Sequence, residues 1–469
     1  MTIWPLKFRD AGAGTLFFAD DTGGFFFGDR SFLDRYATGA LSKSDQAFLQ
    51  TNGHVFQEQG DADWIGFAYR WTARQATQRA LDYLILVPTL RCNLTCDYCQ
   101  VSRAPESASG FDWSEDTLEH VLRLIGSMTG PRVKIEFQGG EPLLRIDLLE
   151  RVRSFTRTTF PGSQFVVCTN LQRLGEREWA FLEADDTFVS TSLDGDRATH
   201  ERQRTHEPAA TDAFLGNLAE AVRRLGPSKV SALPTIDIDR PPAFDELVDN
   251  FERHGMRSIY LRPINHQGFA RRRKSDPNAV AKWNSFHSAF IDYLIDRNHR
   301  TGRYVEEYYF SQSLRRFLRS GVDEHVDLRN PNFFASDYLV VDHDGRLYPT
   351  DEARMLSRIG RVDLSVGQVA TGLDSEKVRL LNQASLNNFE PDCIHCAYQP
   401  FCGSDIVDDL SRSGRVDGPR SDTWFCGRHM ALFDKILEVI QRSDEPARNS
   451  VAKWARVPSW GDHMVPRLA

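Results

Sequence analysis

Long apolar runs are missing from this chain of 469 residues, and no stretch of about 18 apolar residues occurs, so no membrane partner or spanning helix is expected. Met1 to Asp10 lack the basic-then-apolar pattern of a secretory signal. Positive charge is not in excess either. A net charge of −8 and a pI near 5.9 argue against a broad nucleic-acid surface, so no nucleic-acid partner is expected. The one dense basic run is Arg271-Arg272-Arg273-Lys274. It reads as a solvated loop or helix start, or else as a contact for an anion or acidic substrate. Cysteine is sparse, with eight in the whole chain, seven of them in two local groups. That is too few and too clustered for a disulfide scaffold, and it fits a reducing cytoplasm. No internal repeat or low-complexity segment interrupts the chain, and its length implies two or three domains.

What is present is concentrated chemistry. Cys92, Cys96 and Cys99 stand in the run Arg91-Cys92-Asn93-Leu94-Thr95-Cys96-Asp97-Tyr98-Cys99 with spacing C-x3-C-x2-C. Soft thiolates suit iron-sulfur clusters, and three of them can hold three irons of a four-iron cubane, leaving the fourth iron open to a small molecule. Structural zinc is the alternative, although zinc sites usually supply four ligands. The loop follows the apolar run Leu81 to Val87, which reads as a buried strand. In a parallel α/β barrel the working residues sit on loops at the C-terminal ends of strands.

Three more strand ends carry signals. Val133 to Phe137 leads into Gln138-Gly139-Gly140-Glu141-Pro142, where two glycines let the backbone approach a ligand and acceptors face a cationic amine. Phe165 to Cys168 ends in Thr169-Asn170, and a further strand ends at Ser192-Leu193-Asp194-Gly195 before His200 and Arg204. Taken singly, the glycine pair is also an ordinary tight turn, and Ser192 to Gly195 an ordinary strand-to-turn signal. Cys168 reads as a core thiol.

Together, in this order, the four signals resemble the radical S-adenosylmethionine (radical SAM) superfamily. The resemblance implies an α/β fold: a partial (β/α)6 TIM-like barrel over 81–300. It places a [4Fe-4S] cluster with an open iron on Cys92, Cys96 and Cys99. Tyr98, Gln138, Gly139, Gly140, Glu141, Asn170, Ser192, Asp194 and Arg204 become candidate contacts for S-adenosylmethionine. Ser192 and Asp194 would line its ribose side, and Arg204 would meet its methionine carboxylate.

A second group follows: Cys393, Cys396, Cys402 and Cys426, spaced C-x2-C-x5-C-x23-C. Alone it fits zinc or iron-sulfur equally. After such a barrel it resembles the SPASM extension of peptide-modifying members, here spanning 301–442, and implies one auxiliary [4Fe-4S] cluster. The usual extension has seven cysteines and two auxiliary clusters. Here Ile406 stands where a cysteine would follow Cys402, and the hairpin Tyr338 to Pro349 ends in Thr350-Asp351 rather than a cysteine and aspartate. One auxiliary cluster is therefore expected to be lost, and iron to approach about eight atoms per chain. In related sulfatase maturases the matching aspartate is a general base, so Asp351 is the candidate catalytic residue; a turn or helix-capping role is the alternative.

Residues 1–80 read as three strands (Trp4 to Phe8, Thr15 to Ala19, Gly24 to Phe27) followed by helices at Arg30 to Tyr36, Lys43 to Gln50 and Ala68 to Arg79. This small α+β segment is similar in pattern to winged domains that bind leader peptides by strand addition, or it is a structural cap. Residues 443–469 read as a polar C-terminal tail. The subclass resemblance is to maturases of ribosomally made (RiPP) peptides, nearest to the His-Xaa-Ser-system B type. It implies a precursor-peptide partner, a low-potential electron donor such as flavodoxin or ferredoxin, hydrogen abstraction by a 5′-deoxyadenosyl radical, and a side-chain crosslink. Formylglycine formation, as in an anaerobic sulfatase maturase, and a non-catalytic iron-sulfur or peptide-binding protein are the alternatives.

Overall fold

The computed structural model describes residues 1–75, 81–272, 276–318 and 333–468. Three antiparallel strands open the chain: β1 (Lys7–Asp10), β2 (Thr15–Ala19) and β3 (Phe25–Asp29). Strand alternation splits their phenylalanines between two faces. Phe18 and Phe26 stack and meet Phe32 of helix α1 (Arg30–Thr38), with Leu49 of helix α2 (Lys43–Thr51) in the same core. Phe17, on the other face, packs on Phe317, Tyr398 and Phe401, far along the chain. Arg9 fixes the same contact with two bonds to Asp434, at 2.6 and 2.7 Å. Asp29 caps α1, and Ser42 with Asp45 forms a capping box on α2. The third helix runs Ala62–Gln75, earlier than the apolar spacing suggested; residues 76–79 of that expectation lie outside the described residues.

The α/β region follows. β4 (Tyr83–Thr89), β5 (Lys134–Gly139), β6 (Gln164–Cys168), β7 (Thr187–Ser192) and β8 (Val230–Leu233) are parallel, in the order β8-β7-β6-β5-β4. Pro234 separates β8 from the two-residue strand Thr235–Ile236, since proline cannot donate to a ladder. The barrel continues in short parallel pairs, Thr235–Ile236 with Arg262–Pro263 and Ser258–Ile259 with Glu306–Glu307. The result is an α/β partial barrel. Leu84, Leu86, Ile135, Phe137, Phe165 and Val167 form its helix-side core. The opposite face is more polar: Tyr83 and Cys168 both donate to the carboxylate of Glu136, as does Gln138 at 2.6 Å.

Two expectations are corrected. The hairpin strand β9 (Tyr338–Val341), assigned to the extension, pairs in parallel with β4 in the central sheet (Leu339 beside Leu84) before turning at Gly345 into β10 (Arg346–Tyr348). An all-apolar, fully buried strand finds its partner wherever a free buried edge exists, and the outer edge of β4 supplies one. Residues 443–469 are not a loose tail. Asp444 caps helix α7 (Glu445–Ala455), which buries Val451 and Trp454 in the main core. Beyond it, Phe27 donates to the carbonyl of Pro466 at 3.0 Å, and Leu468 donates to Phe27 at 2.8 Å. Residues 466–468 therefore extend the N-terminal sheet at its β3 edge, through a parallel bridge between Phe27 and Arg467.

Helices α3 (Ala279–Thr301), α4 (Tyr308–Leu318), α5 (Asp351–Arg358) and α6 (Trp424–Gln441) complete the scaffold; α3, α4, α6 and α7 pack together. No helix among the described residues is long and apolar enough to cross a membrane. Arg271 and Arg272 end a short 3-10 turn; Arg273 and Lys274 lie outside the described residues.

Candidate active site and auxiliary cysteine site

The cysteine loop leaves the C-terminal end of β4 and is tied to several neighbours. Arg91 forks onto Asp112 with bonds of 2.8 and 2.7 Å. Asp97 donates its amide to Gln203 at 3.0 Å, and Phe269 donates its own to the carbonyl of Cys99 at 2.9 Å. Asn170, at the end of β6, bonds Asn93 at 2.8 Å and lies 3.7 Å from the Cys92 sulfur. The expected strand ends thus meet around one loop.

The glycines have a steric reason. A Cβ on Gly139 would lie 2.2 Å from the Thr89 carbonyl oxygen, and one on Gly140 would lie 2.2 Å from that of Arg91. Gly139 also has φ +131°, which other residues rarely adopt. The pair lets the backbone of β5 pass beside the cysteine loop.

Glu141 is not an idle acceptor. One carboxylate oxygen takes the amide of Leu143 at 3.1 Å and the other takes that of Asn170 at 2.8 Å. Burial pushes its carboxyl up to about 7 against those bonds. Asp194 and Arg204, expected at opposite ends of one ligand, are bonded to each other. Arg204 Nε donates to Asp194 Oδ2 at 2.8 Å, and Tyr98 donates its hydroxyl to the same oxygen. Asp194 Oδ1 accepts from Thr235 at 3.0 Å. Ser192 closes β7 beside them, and Arg204 lies in a single π-helical turn, Glu201–Thr205.

The thiols resist ionisation. Burial and the charge of Glu141 push Cys92 up to about 12; burial pushes Cys96 up to about 11 although Arg204 opposes it. Such groups need a cation to be held as thiolates. Among the described residues, neither cysteine set brings three sulfurs within 4.8 Å of one another. A tetrahedral zinc with bonds of about 2.3 Å would hold its sulfurs about 3.8 Å apart. A donor set made only of thiols suits an iron-sulfur cluster.

The second set gathers at the foot of α6. Cys426 donates its amide to the capping hydroxyl of Thr423 at 3.1 Å, and Cys396 turns back onto Cys393 at 3.0 Å. Burial, then the neighbouring cysteines, push Cys393 up to about 12 and hold Cys402 well above the ordinary thiol range. Cys426 rises to about 11 for the same reasons.

Asp351 is buried at the first turn of α5. The cap there is Thr350, whose hydroxyl accepts from Ala353 at 3.0 Å, while Asp351 accepts from Arg354 Nε at 2.7 Å. Cys168 is enclosed in the barrel face, its thiol pushed well up by burial, Glu136 and, more weakly, Asp351.

A cavity of about 380 Å³ that motif reading missed takes in Gln267, two residues before Phe269, and Trp424 and Phe425, which precede Cys426. Tyr260, Gln267, Tyr309, Trp424, Arg428 and His429 are among its walls. Tyr309 is 2.7 Å from His429 Nε2, and His429 Nδ1 is 2.7 Å from the Phe425 carbonyl. Burial, with Arg428 nearby, pushes His429 down to about 3, so Nδ1 donates and Nε2 accepts. Only the run Trp424-Phe425-Cys426, which joins aromatic walls to a thiol, hinted at this in the sequence.

The Radical SAM superfamily profile matches residues 86–237. A GTP 3′,8-cyclase of Erythrobacter litoralis is 31% identical over 237 residues, covering 49% of this chain and 68% of that protein. The chain belongs to the radical SAM superfamily. Members of this superfamily use S-adenosylmethionine and a [4Fe-4S] cluster, and this radical SAM protein has cysteines grouped for iron-sulfur chemistry in both its N-terminal and C-terminal halves. A cysteine-type anaerobic sulfatase-maturating enzyme of Clostridium novyi is 23% identical over 382 residues, covering 76% of this chain and 96% of the relative. An uncharacterised protein of Methanocaldococcus jannaschii is 29% identical over 117 residues, and the match spans only 39% of its length. Among solved structures, anSMEcpe with bound AdoMet and Cp18Cys peptide matches with TM-score 0.60 at 17% identity, covering 76% of this chain and 97% of that one. Streptococcus suis SuiB bound to precursor peptide SuiA matches with TM-score 0.51 at 12% identity, covering 90% and 99%. The fold is therefore that of radical SAM maturases with a C-terminal extension.

Proposed function

We propose that this radical SAM protein modifies a side chain of a ribosomally made precursor peptide. The observation that carries the reading is a cavity whose walls adjoin both cysteine sets along the chain, through Gln267 in the segment that Phe269 ties to Cys99 and through Trp424 and Phe425 before Cys426. A peptide held there would lie against chain segments that lead to both cysteine sites. In this reading Cys92, Cys96 and Cys99 hold the cluster with the open iron, and Cys393, Cys396, Cys402 and Cys426 hold one auxiliary cluster. With S-adenosylmethionine bound, the first cluster would supply the radical chemistry by which a hydrogen atom is removed from the substrate.

The chain's own residues position and exclude. Gly139 and Gly140 bring backbone carbonyls to the ligand's amine. Glu141 holds that turn against Asn170, so it acts by positioning. Asp194 and Arg204 clamp Tyr98 and, through it, the cysteine loop. The aromatic cavity walls keep water from a reactive substrate carbon. A low-potential donor such as flavodoxin or ferredoxin supplies electrons. The resemblance to His-Xaa-Ser-system maturases supports crosslinking as the outcome, and the peptide-bound state of SuiB supports a peptide substrate. For the domains, we propose a leader-binding or capping unit at 1–80, the radical SAM barrel at 81–300 completed by β9, and the auxiliary-cluster region in the remainder of 301–442. Cytoplasmic location follows from the same chemistry.

A second reading, formylglycine formation, is favoured by the near full-length match to the Clostridium novyi enzyme. Against it stands Asp351, whose carboxylate is engaged by Arg354. The test is anaerobic turnover with a candidate precursor. Formation of 5′-deoxyadenosine with a two-dalton loss in the peptide is expected for a crosslink. A mass change confined to one cysteine or serine would replace that reading by the second, and no nucleoside with any peptide would end both.

A further inference from the structure

The cavity holds four cations, and three of them are already paired. Arg262 lies 3.5 Å from Glu352, Arg412 bonds Asp408 at 2.8 Å, and Lys435 bonds Asp292 at 2.7 Å and Glu438 at 2.9 Å. The remaining acids are engaged too. Asp434 holds Arg9, and Asp405 accepts the amides of Val407 and Asp408. Among the described residues, only Arg428 of these four has no carboxylate within 4.0 Å. Its Nε is buried without a hydrogen-bond partner; the neutral ring of His429 is nearby and the ring of Trp424 lies 5.5 Å away.

A second atom in the same walls is unsatisfied. Gln267 is 2% exposed, and its Oε1 is buried without a donor. Gln267 belongs to the segment that Phe269 ties to Cys99, whereas Arg428 stands on α6. An unpaired buried donor or acceptor costs free energy that a fitting ligand recovers. The auxiliary thiols are not the obvious partner of Arg428. Arg428 and Cys426 are two positions apart on one helix, hence about 200° around its axis.

We infer that the cavity takes a peptide segment carrying a carboxylate, bound by Arg428, with Gln267 Oε1 accepting a peptide N–H. The inference rests on the peptide-modifying reading and narrows its substrate class to acidic segments. A planar guanidinium beside an indole face suits a carboxylate, which it can grip with two parallel bonds. The paired cations around it leave no second anion contact of equal strength.

The test uses the full chain with its iron-sulfur centres loaded anaerobically, and two probes, acetyl-Ala-Glu-Ala-amide and acetyl-Ala-Gln-Ala-amide, followed by titration calorimetry. The glutamate probe is expected to bind about tenfold tighter or more. Arg428→Gln should abolish the preference, Arg428→Lys should keep it in weakened form, and Gln267→Leu should weaken both probes alike. Equal binding of the two probes to the native protein would overturn the inference. So would a preference that survives Arg428→Gln, or an Arg428→Gln change confined to the iron-sulfur absorption bands. If Arg428→Gln does not fold, loss of the preference in Arg428→Lys at high salt, where charge is screened, supports the inference and its persistence refutes it. The functional reading fails separately, if no peptide yields 5′-deoxyadenosine or a mass change while the glutamate preference stands.

Discussion

Tyr98, the residue before the third cysteine of the first motif, donates its hydroxyl to the carboxylate of Asp194 at the end of a different strand. Arg204 donates to the same oxygen at 2.8 Å, and Asp194 is fully buried. Removing the acid would strand a buried guanidinium. Asp194→Asn is expected to destabilise the protein by about 3–5 kcal/mol, and Tyr98→Phe by about 1 kcal/mol. Denaturant melts of the iron-free chain measure both; equal small losses would mean that the triad holds nothing.

Gly140 has no room for a side chain. A Cβ there would meet the carbonyl oxygens of Arg91 and Leu90 at 2.2 and 2.5 Å. Backbone cannot swing aside as a side-chain tip can. Gly140→Ala is therefore expected to displace the cysteine loop, to cost several kcal/mol, and to lower iron bound at the first site. Retention of full iron with an unchanged melting temperature would count against this account of the glycine pair.

The two cysteine sets are expected to load independently. Native protein should hold about eight irons per chain, and alanine at Cys92, Cys96 and Cys99, or at the four C-terminal cysteines, should leave about four. Only the first replacement should abolish 5′-deoxyadenosine formation outright. A reproducible native value near twelve would restore the auxiliary cluster that Thr350 and Ile406 argue against.

Asp45 gives a pH test remote from either site. Its bond to Arg35, opposed by burial and aided by the amide of Ser42, lowers its carboxyl from 3.8 to about 2. A depressed carboxyl stabilises the fold above its unfolded value, and the contribution is lost as pH falls through the folded one. Asp45→Asn should therefore cost about 1 kcal/mol at pH 7, and the gap should close between about pH 4 and 2. A gap independent of pH would assign the loss to the capping box alone.

The strand ends were legible because each carries chemistry at a fixed place: thiols after β4, glycines after β5, Thr169-Asn170 after β6 and Ser192 to Gly195 after β7. What those residues touch was not legible. Glu141 and Asn170 are bonded across two loops, and Arg204 turns toward Asp194, because a buried charge finds a partner that no spacing rule names. Helix α7 was missed although its signature is local: Asp444 before Glu445-Pro446, then Val451 and Trp454 three apart. Its prolines drew attention to a tail. β9 was placed in the wrong unit because parallel pairing leaves no trace in either strand's own sequence. The cavity has no motif at all, since its walls come from seven separate stretches of chain.

The pairing of β9 with β4 also sets an order of events. The first barrel strand is flanked on one side by β5, made about 50 residues later, and on the other by β9, made only after residue 338. Until then one edge of β4 has no partner, at the base of the loop that carries Cys92, Cys96 and Cys99. At ordinary translation speeds that interval lasts roughly ten seconds or more, during which an apolar strand edge stands open to other chains. A newly made barrel would thus be most vulnerable to aggregation before its iron-sulfur loop has a finished floor, and cluster delivery during synthesis would meet an unready site.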